Sequence, residues 1–127
     1  MTHRWNSFLS FVAILIVVGS ILGPELSHSS EAIVIGIPHS EAYSYATMMK
    51  NSFNMALESI NKDGGINGRP LKLVYADDRG QPREGEKAIR QLVNESGAVM
   101  LVGAYQSSNA IYMANTANKL DRPFLIC

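Results

Sequence analysis

Apolar runs and helical periods alternate along the chain from Ala32 onward. The run "AIVIGI", Ala32 to Ile37, is continuous and rich in β-branched residues, which predicts a strand buried on both faces. From Tyr45 to Lys62 the apolar residues recur at helical spacing instead. Gly64 follows as a residue suited to end the helix in the left-handed conformation. The face expected to point inward carries Met49, Phe53, Ala56 and Ile60.

The same alternation continues to the last residue. In chain order it predicts a strand at Leu71 to Asp78, a helix at residues 81–95, a strand at residues 98–103, a helix at Ser108 to Leu120 and a strand at residues 123–127. The inward stripes are predicted to be Ala88, Ile89, Leu92 and Val93 in one helix and Met113, Ala117 and Leu120 in the other. The order β-α-β-α-β-α-β with short connections predicts an α/β fold, a parallel sheet flanked by helices.

The first 29 residues have a different pattern. Arg4 precedes an uninterrupted apolar stretch from Phe8 to Gly23, Pro24 ends it, and small residues follow. This order predicts a cleaved export signal over residues 1–29, a mature chain from residue 30, and a periplasmic or secreted protein. The alternative is an uncleaved membrane anchor, although the stretch is shorter than the ~20 residues that span a bilayer.

Composition limits the remaining possibilities. The chain has 127 residues, 46% of them apolar and 17% charged, with no formal net charge, which suits one modest core. No bulk charge attracts nucleic acid or an anionic membrane, so neither is expected as a partner. Cys127 is the only cysteine, so no internal disulfide can form. The chain stops inside the predicted buried strand "FLIC", which leads us to expect a sequence truncated at its C-terminus.

Polar side chains follow the strands where an open parallel sheet binds ligands, at the carboxyl ends. After Gly103 the stretch "AYQSSNA" places Ser107 and Ser108 at the start of a predicted helix. A serine hydroxyl there can pair with a bound anion, and the helix N-terminus adds roughly half a positive charge, so a carboxylate could be held without lysine. The alternative is that one serine only caps the helix. The other candidates for the ligand site are His39, Ser40, Tyr45, Tyr105 and Gln106.

Other chemistries have weaker support. Asp77 and Asp78 could form an acidic site, but turn formation or capping is the simpler interpretation. His39 has no second histidine or cysteine at ligand spacing, so we expect no metal and interpret it as an exposed or ligand-proximal loop residue. A hydrolase would need a nucleophile elbow, and no such motif is present. The usual dinucleotide and triphosphate motifs are also missing, so we expect no cofactor.

Two stretches carry a family resemblance. "ALESINKDGGINGRPLKLVYADDRGQP" followed by "LVGAYQSSNA" resembles the first lobe of the periplasmic solute-binding proteins for branched-chain amino acids, which serve ABC importers. The resemblance covers Ala32 to Cys127. It implies the type I periplasmic-binding fold, of which residues 30–127 would be part of the N-terminal lobe, with a hinge-closed clamp, ABC permease subunits as partners and a monomeric full-length protein.

The resemblance also implies roles for individual residues. Ser107 matches the serine that binds the amino acid's carboxylate and ammonium groups, and Tyr45 matches an aromatic residue near the ligand. Gln106 and Ser108 are neighbours of that serine. The first loop departs from the family's Ser-Gly or Thr-Gly pair and carries His39 and Glu41 instead, which leaves the ligand open.

The expected function is therefore capture of an amino acid or small amide for import, without catalysis. The alternative is the sensory ectodomain of a receptor with the same fold. A transmembrane segment and signalling domain downstream would indicate the receptor.

Overall fold

A computed structural model of the protein describes residues 31–127, and the predicted export signal lies outside this range. Seven elements follow in the predicted order: β1 (Ile33–His39), α1 (Tyr45–Lys62), β2 (Leu71–Asp77), α2 (Pro82–Asn94), β3 (Met100–Gly103), α3 (Ser107–Lys119) and β4 (Phe124–Ile126). Among the described residues, no helix has the length and apolar content needed to cross a membrane.

The four strands form one parallel sheet in the order β2-β1-β3-β4. β1 pairs with β2 over its whole length, from Ile33 opposite Leu71 to His39 opposite Asp77. The pairs of β1 with β3 and of β3 with β4 are also parallel. The predicted fold class is therefore confirmed, and the carboxyl ends of all these strands lie at one edge of the sheet.

The main core lies between the sheet and the helices α2 and α3. The predicted stripe of α2 is confirmed, because all of its members are buried: Ala88, Ile89, Leu92 and Val93. They pack with Leu101 of β3 and with Met113 and Ala117 of α3. Gly85 lets the two helices approach closely, since a Cβ there would lie 2.9 Å from Cγ of Met113.

Helix α1 lies on the opposite face of the sheet. The Tyr75 hydroxyl of β2 donates to Asn54 Oδ1 of α1 at 3.1 Å, and Lys50 Nζ lies 4.9 Å from the Tyr75 ring centroid. The predicted inward face of α1 is only partly correct. Met49 and Phe53 are half-buried, but Ala56 and Ile60 are exposed, because α1 packs chiefly along the edge strand β2 and buries only Ala46 fully.

Candidate ligand-binding site

Two aspartates hold the turns at the carboxyl ends of β1 and β2. Asp77 Oδ1 accepts hydrogen bonds from the backbone N–H of Glu41 at 3.1 Å and of Arg79 at 2.9 Å. The buried Asp78 accepts from the Ser40 hydroxyl and from the N–H of Gly80 at 2.8 Å. These contacts support turn formation, the simpler of the two interpretations of the pair.

This arrangement lowers the pKa of the Asp77 carboxyl. Burial is the largest single influence and raises its pKa, but the backbone donors of Arg79 and Glu41 oppose it, with help from His39. Together they hold the pKa of Asp77 below its usual value, so Asp77 is ionised at neutral pH.

His39 differs from its predicted position. β1 runs two residues beyond the predicted Ile37, so His39 is the last residue of the strand and not part of the loop. It is also buried, with 8% of its surface exposed, because its ring packs edge-on against Tyr75 at a centroid distance of 5.4 Å. Its Nε2 lies 3.5 Å from Glu41 Oε1. With Glu41, Ala46, Thr47 and Lys50 it lines a depression of about 260 Å³ beside α1.

The chain turns sharply between β3 and α3. Gly103 has φ 142° and Ala104 has φ 73°, which is a left-handed conformation that alanine rarely adopts. A Cβ on Gly103 would lie 2.8 Å from the Pro38 carbonyl oxygen. The turn is thus a strained element that sets the direction in which α3 starts.

Helix α3 begins at Ser107, one residue earlier than predicted. Gln106 occupies the N-cap position, so neither serine is the cap residue. Within residues 31–127, the Ser107 and Ser108 hydroxyls form no hydrogen bond, and their backbone N–H groups have no acceptor. Both residues are exposed. The helix therefore presents unpaired donors and its positive end at the carboxyl edge of the sheet.

Gln106 joins the loops that follow β1 and β3. Its Nε2 donates to the Tyr43 hydroxyl at 2.9 Å, and its Oε1 accepts from Asn109 Nδ2 at 2.9 Å. Gln106 was a predicted site residue, whereas Asn109 was missed. Only the helical spacing of three residues from Gln106 could have indicated that the two amides pair.

Three aromatic rings, two from these loops and one from the first residue of α1, form what we call the tyrosine stack: Tyr43, Tyr105 and Tyr45. The Tyr43 and Tyr45 rings lie 5.4 Å apart at an interplanar angle of 12°, and the Tyr45 and Tyr105 rings lie 3.8 Å apart at 29°. The stack brings two predicted site residues, Tyr45 and Tyr105, into direct contact at the start of α3.

The Tyr45 hydroxyl is buried and has no hydrogen-bond partner in the part of the chain described. Burial raises its pKa above the ordinary 10.0. The adjacent Ser40 hydroxyl lowers the pKa of Tyr45 in part. Ser40 donates its hydrogen bond to Asp78, however, and forms none with Tyr45. Tyr45 therefore remains protonated at neutral pH.

The predicted site residues thus divide into two groups. Five of them lie on the tyrosine stack or the adjoining start of α3: Tyr45, Tyr105, Gln106, Ser107 and Ser108. Ser40 lies next to Tyr45 and is bonded to Asp78, and His39 packs against Tyr75 beside the depression at α1. In residues 31–127 no group of three or more His, Cys, Asp or Glu side chains could hold a metal ion.

Comparison with known proteins gives sequence relatives over most of the chain. An amino acid binding protein of Pseudomonas aeruginosa is 36% identical over 97 residues, which are 74% of this chain and 26% of that protein. A Leu/Ile/Val-binding protein of Rhizobium johnstonii is 34% identical over 95 residues, again 74% of this chain and 26% of the relative. The chain thus spans about a quarter of the length of these relatives.

Solved structures show the same fold. The substrate binding protein of a branched-chain amino acid transporter from Streptococcus pneumoniae, in complex with isoleucine, has a TM-score of 0.69 at 24% identity, covering 75% of this chain and 28% of that one. An ABC transporter substrate-binding protein from Desulfitobacterium hafniense, in complex with leucine, has a TM-score of 0.65 at 25% identity, covering 76% and 28%.

Residues 37–126 match the family described as periplasmic binding protein. The family resemblance predicted from the two sequence stretches is thereby confirmed. Because the match extends over well more than half of the sequence, the chain belongs to the periplasmic binding protein family.

Proposed function

We propose that this chain is part of the first lobe of an extracytoplasmic solute-binding component of an ABC importer. Its ligand is an amino acid of the branched-chain type or a related small amide. The observation that carries the proposal is the start of α3, where the hydroxyls and backbone N–H groups of Ser107 and Ser108 are unpaired within the described chain. They lie beside the tyrosine stack, at the edge of the sheet where this class of fold binds ligands.

The chemistry at this edge suits a carboxylate. A carboxylate placed there accepts from the Ser107 hydroxyl and from the free N–H groups of Ser107 and Ser108, and the helix dipole adds a favourable field. Hydrogen bonds to a charged group are stronger than those between neutral partners.

The geometry around Ser107 within residues 31–127 supports a binding role for this residue. A serine nucleophile needs a base within hydrogen-bond reach. The Ser107 hydroxyl has no hydrogen-bond partner in residues 31–127, and the His39 ring contacts Tyr75 and Glu41 instead.

The remaining parts of the proposal come from the relatives. They are about four times as long as the matched segment, which supports a second lobe that closes over the ligand. In this scheme residues 1–29 export the protein, the periplasm or cell exterior is its location, and ABC permease subunits receive the ligand.

The test is isothermal titration calorimetry with the protein expressed from its complete reading frame. The titrants are L-leucine, L-isoleucine, L-phenylalanine and the corresponding amides. We expect saturable binding, one ligand per protein, of at least one of them. If the folded protein binds none of these compounds, the proposal is wrong.

A further inference from the structure

The two ends of the tyrosine stack differ, because the Tyr43 ring contacts Gly80 and the Tyr105 ring is exposed. At the Tyr43 end the ring lies against Gly80, where an added Cβ would be only 2.8 Å from Tyr43 Cε2. At the other end, Tyr45 covers one face of the Tyr105 ring at 3.8 Å. Tyr105 is nevertheless 62% exposed, so its second face is open to solvent.

The position of the open face relates it to the proposed carboxylate site. Tyr105 precedes Ser107 by two residues, and Cα atoms two residues apart are separated by at most about 7 Å. A small ligand held by its carboxylate at Ser107 therefore has its side chain within reach of Tyr105. Aromatic rings attract other flat rings in offset-stacked or edge-to-face geometry, beyond what burial of apolar area contributes.

The Tyr105 ring is also held in place before any ligand arrives. Tyr45 covers its inner face, and the residue that follows it, Gln106, is bonded to both Tyr43 and Asn109. A side chain fixed in this way loses little rotamer freedom on binding, which favours affinity.

We infer that Tyr105 is the specificity-determining residue of this site and that its open face stacks on a flat aromatic ring of the ligand. This inference rests on the proposed capture of an amino acid and changes the preferred ligand side chain from branched aliphatic to aromatic. The protein favours aromatic amino acids, or aromatic carboxylates of similar size, over branched aliphatic ones. The relatives with isoleucine or leucine bound would differ from this chain in that preference.

The experiment is calorimetric titration of the complete protein with L-phenylalanine and with L-leucine. Three variants accompany the native protein: Tyr105→Leu, Tyr105→Phe and Tyr112→Leu. Tyr112 is the matched control because it is an exposed tyrosine of α3 outside the tyrosine stack. We expect the native protein to bind L-phenylalanine about 3- to 10-fold more tightly than L-leucine, the range of an aromatic pair.

The variants distinguish stacking of Tyr105 on the ligand from a role of Tyr105 in supporting its own loop. Tyr105→Leu should lower the affinity for L-phenylalanine more than the affinity for L-leucine and so remove the preference, because the aromatic partner of the ligand ring is lost. Tyr105→Phe should retain the preference, since the ring remains. Tyr112→Leu should change neither affinity.

Failure of the inference differs from failure of the proposed function. Binding of L-leucine as tightly as L-phenylalanine, or more tightly, by the native protein overturns the inference and leaves the proposed function standing. An equal loss of both affinities in Tyr105→Leu also overturns it, because Tyr105 would then only support the loop. Absence of binding to every amino acid tested overturns both.

Discussion

Ser107 lies where the backbone of α3 still has unpaired N–H groups, and its exposed hydroxyl has no partner in the described chain. Its role can therefore be tested without disturbing an internal hydrogen bond. This is unusual for a serine at a helix start, where the side chain often serves the helix itself.

We predict that Ser107→Ala weakens ligand binding by about 1–3 kcal/mol, because the lost hydrogen bond is to a charged group. Calorimetry on the complete protein measures this against Ser59→Ala, which removes an exposed hydroxyl on α1 far along the chain from the site. If Ser107→Ala binds the ligand with unchanged affinity, the Ser107 hydroxyl does not bind the ligand's carboxylate.

A second prediction concerns the dependence of stability on pH. The pKa of Asp77 is lower in the folded protein than its usual value, since backbone donors outweigh the effect of burial. The stabilisation is therefore complete above the ordinary carboxyl pKa of about 3.9 and is lost as the pH falls through the lower folded value. The urea concentration at the unfolding midpoint should therefore fall less steeply below about pH 4 in Asp77→Asn than in the native protein.

Asp121→Asn is the control for this measurement. Asp121 is exposed, and its carboxylate accepts no hydrogen bond from any described residue. Its backbone has φ 57°, a conformation that asparagine also tolerates. A decline in Asp77→Asn as steep as in the control would show that Asp77 does not contribute to acid stability.

At the scale of elements, the junction between β3 and α3 determines where the proposed ligand-binding donors at the start of α3 point. Gly103 and Ala104 make the turn, and the Pro38 carbonyl of β1 leaves no space for a side chain at Gly103. Because the obstructing atom is backbone in the neighbouring strand, it cannot move aside without disrupting the sheet.

We predict that Gly103→Ala destabilises the protein by about 1–3 kcal/mol, the range of a strained backbone position, and weakens binding as α3 shifts. Ala104→Gly should be tolerated, since glycine adopts the left-handed conformation freely. Chemical denaturation followed by circular dichroism compares the two variants with the native protein. Equal stability of both variants would show that the turn is not under strain.

The elements differ in how far their sequence predicts them. The stripe of α2 could be predicted because Ala88, Ile89, Leu92 and Val93 repeat at helical spacing and are buried against a single sheet face. The inward face of α1 was predicted by the same reasoning, but Ala56 and Ile60 are exposed. Periodicity indicates which residues share a face, and only packing decides how much of that face is covered.

The candidate site shows a similar division. The location of Ser107 at a helix start followed from a strand pattern giving way to a helix pattern. The burial of His39 could not be predicted from such a local pattern, because it depends on β1 pairing with β2 as far as Asp77. The Gln106–Tyr43 hydrogen bond joins residues 63 positions apart, and no local pattern encodes such a contact.

At the scale of the whole molecule, several large apolar side chains remain exposed. Leu125 and Ile126 are exposed on the edge strand β4, Val99 is exposed just before β3, and Met48 and Met55 are exposed on α1. Large apolar side chains that stay in contact with water favour association between copies.

We predict that residues 30–127 expressed alone are marginally stable or aggregate. Size-exclusion chromatography with light scattering and thermal unfolding followed by circular dichroism measure this, with the complete protein as reference. A monomer with a cooperative unfolding transition would contradict the prediction.

The hydrogen bond between Gln106 and Tyr43 has a consequence for the order of events during ligand capture. It links the loops after β1 and β3, so separating these loops breaks a hydrogen bond worth about 1 kcal/mol. Under the proposed function, a ligand would meet two loops already joined on this lobe, so docking there would precede enclosure.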